Sequence, residues 1–174
     1  MKGYVYLLVL QGVFGGWDTV WYHEWKQRLA SRPSAFRELR LHSVRDFIYA
    51  VLFASLAWVE WNGTWTLLLG ALLLAEVVIT LLDFLEEDTT RTLPAGERVM
   101  HALMGIVYGA FLAFFIPEMC VWFVRPSRFT PTSFGMWSWL MTAMAIGVSA
   151  SGVRDLVASS VLSKSDHTVM SSVT

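Results

Sequence analysis

The chain has 174 residues, of which 55% are hydrophobic and only 16% charged, against the roughly 45–50% apolar and about 25% charged content of ordinary soluble domains. Its formal net charge of −1 offers no cationic surface for the phosphates of a nucleic acid. Its single cysteine, Cys120, excludes an intramolecular disulfide framework.

In chain order, five apolar stretches cover residues 4–25, 39–59, 64–85, 99–124 and 133–153. Each has the roughly 20 residues needed to cross a ~30 Å hydrocarbon core. The first begins like a signal peptide, with Lys2 ahead of an apolar run. No A-x-A-like cleavage site follows, and the run continues past Gly15 and Gly16, so it reads as a transmembrane helix. The expected fold is therefore an all-α integral membrane protein with five transmembrane helices in one domain, residues 1–158. A polar, Ser-rich and poorly ordered cytoplasmic tail is expected over 159–174.

Orientation follows from the basic residues. Lys26, Arg28, Arg32, Arg37 and Arg40 lie between the first two helices, Arg91 and Arg98 between the third and fourth, and Arg154 and Lys164 after the fifth. Only Lys2, Arg125 and Arg128 fall on the other side. The amino terminus is expected outside and the carboxy terminus in the cytoplasm of a bacterial-type inner or plasma membrane. Trp58, Trp61 and Trp65 suit an outer interfacial belt, and NGT at 62–64 matches a glycosylation sequon.

One offset recurs along the chain. Glu38 and Glu97, His42 and His101, Arg32 and Arg91, Tyr49 and Tyr108, Ala54 and Ala113, and Glu24 and Asp83 are all 59 positions apart. The first four helices thus read as two parallel copies of a helical hairpin, about 4–59 and 64–124, related by an axis along the membrane normal. The fifth helix, about 133–153, is an addition that packs the bundle or mediates self-association through its small residues.

Within each hairpin an acid closes the first helix and E-x-x-x-H opens the second: Glu24, Glu38 and His42 in one, Asp83, Glu97 and His101 in the other. A spacing of four puts Glu and His on one helix face. Short loops bring the helix ends together near the cytoplasmic face, where four carboxylates and two imidazoles can converge. Such a group would repel itself in low dielectric, and two divalent cations balance it. Carboxylate and imidazole suit iron, manganese or zinc. His23 has Leu82 at its offset of 59, which favours a surface position over a seventh ligand, and Glu87 is a further candidate ligand. Deeper in the bundle, Arg45 is expected to pair with Glu76 or Asp18 and, with Asp46, to orient the ligands.

This inventory resembles that of the di-iron and di-manganese carboxylate four-helix-bundle proteins, the ferritin-like class. That class uses E-x-x-H, whereas both copies here read E-x-x-x-H. The resemblance implies two transition-metal ions, iron first and zinc or manganese next. It also implies an oxidoreductase acting on a hydrophobic substrate such as a lipid or quinol. The alternatives are metal transport or storage without catalysis, a membrane zinc hydrolase, a b-type cytochrome using His42 and His101, and a scaffold subunit of a homo-oligomer or larger complex. EEDTTR at 86–91 matches the opening motif of the membrane CAAX-type proteases, but the downstream histidine motifs of that family are missing.

Overall fold

Helices form along the apolar runs. The structure, a computed structural model, describes residues 2–171. Among them are α1 (Gly3–Asp18), α2 (Phe36–Leu56), α3 (Trp65–Thr90), α4 (Ala95–Phe123) and α5 (Met136–Ser171). Two short strands, β1 (Val59–Trp61) and β2 (Phe129–Pro131), accompany them. Arg91 leaves the helical region at the end of α3, and Pro94 precedes α4, consistent with the bias of a pre-proline segment away from helix.

Three of the helices are long and apolar enough to cross a membrane: α3, α4, and α5 over Met136–Lys164. Most of their apolar side chains point outward, Leu67, Leu74 and Leu85 of α3 among them. That arrangement is expected when the surroundings are as apolar as the side chains. The fifth helix outruns its expected end at 153 and continues through Ser159, where a polar tail was expected. Ala158 and Leu162 explain the extension, since they pack on buried Leu29, Ala35 and Leu39. Residues 172–174 of the expected tail lie outside the described residues.

α5 packs most extensively against α2, α1 against α4, and α2 against α3. The apolar core occupies one half of the bundle, where Leu8, Leu52, Leu69, Phe111, Phe115 and Met141 are fully buried. At that end β1 pairs antiparallel with β2, Glu60 opposite Thr130, tying the α2–α3 and α4–α5 connections together. Three-residue strands carry no periodicity that a sequence reading could detect. The turn after β1 requires glycine: Gly63 has φ +64°, and a β-carbon there would lie 2.3 Å from Ser127 Oγ. Asn62 is buried and donates to Thr130, so the NGT triplet presents no free side chain for a glycan. Trp61 is buried as well, rather than standing in an interfacial belt.

Beyond Asp18 the first helix changes pitch. Thr19–Gln27 is π-helical and ends at Arg28, whose φ of +49° is left-handed. A π turn hydrogen-bonds residues five apart and is frequent at functional sites. Here it brings His23 back over Asp18, its fifth neighbour.

Candidate metal centre

At the end of the bundle opposite the strands, four helical segments deliver titratable side chains to one buried volume. α2 contributes Glu38 in its first turn and His42 one turn on; α4 contributes Glu97 and His101 in the same positions. The last turns of α3 bring Asp83 and Glu87, with Arg91 just beyond. α1 and its π extension bring Asp18 and His23. All three histidines and all five of these acids are buried, with Glu38 and Glu97 at 0% exposure.

Two groups of ligand atoms are close enough to hold a metal ion. One is His23, Glu87, Glu97 and His101; the other is Glu38, His42 and Glu87. Within each group the ligand atoms lie within 4.8 Å of one another, and Glu87 belongs to both. The surrounding contacts fix the imidazoles. His23 and His42 stack with ring centroids 4.5 Å apart and planes 8° apart, while Phe84 stacks on His101. Asp83 Oδ2 lies 3.0 Å from His42 Nε2 and accepts a hydrogen bond from Arg45 at 2.9 Å. Asp18 Oδ2 lies 3.2 Å from His23 Nε2 and 3.4 Å from His101 Nε2.

Several buried atoms in this cluster make no hydrogen bond: His23 Nε2, His42 Nε2, Glu87 Oε2, Asp18 Oδ1 and Asp83 Oδ1. The two imidazole nitrogens face the carboxylates of Asp18 and Asp83 at 3.2 and 3.0 Å, and carboxylate oxygens buried without a partner are costly unless they meet a cation. The donor set is nitrogen and oxygen only, which suits iron, manganese or zinc. On both counts the residues could hold a metal ion.

Arg91 is the principal cation already in the cluster. Its guanidinium donates to Glu97 at 2.7 Å, to Glu38 at 2.9 Å and to Glu87 at 3.0 Å. Burial works against its charge, but the hydrogen bonds to Glu97 and Glu38 outweigh that and raise its pKa above the ordinary arginine value. Five carboxylates thus face two guanidiniums, Arg91 and Arg45.

Of the six expected ligands, Glu38, His42, Glu97 and His101 stand in the two groups, whereas Asp83 lies outside both, against His42 and Arg45. Glu24 is not in the cluster; it is exposed on the π segment and pairs with Arg154 of α5, because the changed pitch turns His23 inward in its place. His23, expected at the surface, is inside. Arg45 pairs with Asp83, not with Glu76 or Asp18. Glu76 instead accepts from Tyr49 at 2.9 Å and Thr80 at 3.0 Å, deeper in the bundle. Asp46 faces Gly152 of α5. The signal for Arg91 was present in the sequence: Asp83, Glu87 and Arg91 are spaced by four, and only Asp83 of the three falls within the third expected helix at 64–85.

Fold and cluster together define a helical protein with three helices long and apolar enough to cross a membrane and a buried His/Glu group able to hold a metal ion. No protein-family model, curated protein or solved structure matches the chain, so the likeness to the di-iron carboxylate class rests on the ligand set alone.

Proposed function

We propose that the chain is an integral membrane di-metal carboxylate protein, with iron the preferred metal, acting as an oxidoreductase on a hydrophobic substrate. The observation that carries this reading is Glu87, shared by two adjacent ligand groups, as a carboxylate bridging two neighbouring ions would be. His23, Glu97 and His101 would complete one site, Glu38 and His42 the other. The metals, when bound, would supply the redox chemistry. Asp18 and Asp83 hold the imidazoles in place, the second helped by Arg45, as outer partners of metal-bound histidines do.

The repeat of 59 residues supports the same reading. α2 and α4 begin 59 positions apart, and the α2–α3 packing exchanges with the α4–α1 packing under that offset. The reading has five crossings, with α1 continued by its π segment and α2 joining the three apolar helices. It places the histidine end at the cytoplasmic face, where the basic loops gather.

Arg91 favours a second reading, in which the guanidinium is the resident counter-charge and no metal binds. Elemental mass spectrometry on detergent-purified protein decides between them. Two transition-metal equivalents per chain are expected, both lost in Glu87→Ala, with Glu97→Ala and His42→Ala each depleted. Less than about a tenth of an equivalent in the wild type overturns the metal reading.

A further inference from the structure

A cavity of about 790 Å³ opens above the cluster, among α1, α2, α3, α4 and α5. That volume falls within the ~300–1,000 Å³ of small-molecule pockets. Asp18, Arg45 and His101 form its floor. Its rim contains Gly15 and Gly16 of α1, Gly105 and Gly109 of α4, and Gly147 of α5. A β-carbon on any of these five would meet no atom within 4 Å, so helix packing does not require glycine there. Gly12, by contrast, is held by contact with Phe53. Gly105, Gly109 and Gly147 are exposed, and their neighbours Ile106 and Ile146 point outward at 69% and 68% exposure. The rim therefore opens through the apolar flank of the bundle, not at its polar end.

Inside, the walls leave three side-chain atoms without a hydrogen bond away from the histidine cluster: Gln11 Oε1, Glu76 Oε2 and Ser151 Oγ. Gln11 and Glu76 are buried at 8% and 3% exposure, and both line the cavity. Gln11 Nε2 donates to the Tyr49 hydroxyl at 3.2 Å, and that hydroxyl donates to Glu76 Oε1 at 2.9 Å. Gln11 Oε1 and Glu76 Oε2 have no partner. Both can only accept, and one of them is a carboxylate oxygen, whereas the Ser151 hydroxyl can also donate. An acceptor buried without a donor is unfavourable, so a ligand head seated at Gln11 and Glu76 brings a donor, and an anionic head at that position would face the Glu76 carboxylate.

We propose that this cavity takes up, sideways from the lipid through its glycine rim, a membrane-soluble molecule with an apolar body and a hydroxyl head, the hydroxyl donating to Gln11 and Glu76. As a statement about the substrate this rests on the oxidoreductase reading. As a statement about binding it stands without metal and is tested so.

The probe is an alkylphenol carrying a photoreactive diazirine on its chain, set beside an alkyl carboxylate of equal length with the same diazirine. Both are added to the purified chain in phosphatidylcholine nanodiscs, before and after chelation, with metal content measured in each sample. The phenol should crosslink to residues of the cavity wall. That labelling should fall at least about tenfold in Gly109→Phe and Gly147→Phe, which fill the rim from opposite sides, and severalfold in Gln11→Met; tenfold corresponds to about 1.4 kcal/mol of affinity. The carboxylate should label only outward-facing positions. Phenol labelling confined to the outer surface, unmoved by both rim variants while they keep wild-type helicity, overturns the proposal. So does equal labelling of the cavity by the carboxylate. Cavity labelling without stoichiometric metal would overturn the metal reading and leave this one intact; metal without cavity labelling would do the reverse.

Discussion

The two ends of the bundle handle charge in different ways. At the strand end Lys2 pairs with Glu118 and Glu60, and Arg125 with Glu60. The acids there match the bases in number, and the side chains keep between 15% and 41% of their exposure. At the histidine end Glu38, Glu87 and Glu97 are exposed by 1% or less around an Arg91 at 6%, and acids outnumber guanidiniums. Pinning helix ends needs only what the strand end has. Buried like charges are expensive, so an excess of acid over guanidinium is what a cation site requires and a helix clamp does not.

The largest expected effect follows from removing the cation already present. Arg91→Gln leaves three buried carboxylates facing one another, and breaking a buried ion pair from one side costs about 3–5 kcal/mol. In chelator-treated protein the midpoint of thermal unfolding, followed by circular dichroism in detergent, should drop steeply. Returned iron or zinc should recover much of the loss by replacing the missing charge. An unchanged midpoint without metal would mean that Arg91 is not the counter-charge its contacts describe. Chelating the wild type comes next. A ligand present at 100 times its Kd contributes about 2.7 kcal/mol to stability, so chelator should lower the wild-type midpoint and leave that of Glu87→Ala where it was. Equal midpoints of the wild type with and without chelator would count against the metal.

The same contrast separates what the sequence disclosed from what it concealed. The helices were legible because apolar runs of membrane length are hard to mistake, and Glu38, His42, Glu97 and His101 because a spacing of four repeats at an offset of 59. Glu24 and His23 were exchanged in role because a regular α pitch was assumed where the chain adopts a π turn; no local residue preference announces that change. Arg45 was matched to the wrong acid because rise along a helix gives depth but not azimuth, and Asp83 faces it across α2 and α3. Leu162 looked like tail because its partners, Leu29 and Leu39, lie more than a hundred residues away in sequence.

A smaller effect sharpens the contrast between Asp83 and Glu24. Asp83 lies against His42 and Arg45, while its counterpart at the offset of 59, Glu24, is at the surface with Arg154. Outer partners of metal-bound histidines are worth about 10–100-fold in metal affinity, or roughly 1.4–2.7 kcal/mol. Asp83→Asn should weaken metal binding by that factor in competition with a chromophoric chelator, and Glu24→Gln should leave it unchanged. Equal losses in both would restore Glu24 to the ligand environment and put the inward turn of the π segment in doubt.

The smallest effect belongs to the strand end and tests whether the two ends are independent. Glu60 accepts from Lys2 at 3.3 Å and from Arg125 at 2.6 Å, so Glu60→Gln weakens two pairs at once. Both cations reach water, Arg125 at 41% exposure, and pairs of that kind are worth about 0.2–1 kcal/mol each. Glu60 also sits opposite Thr130 in the strand pair, whose backbone bonds the substitution keeps. A midpoint lowered by a few degrees, with metal content at the wild-type value, is the expected result. If Glu60→Gln instead released the metal, charge at one end would be setting the geometry of the other. The apolar core between them, from Leu52 to Phe115, would then transmit strain along the helices and could no longer be read as insulation between two separate solutions.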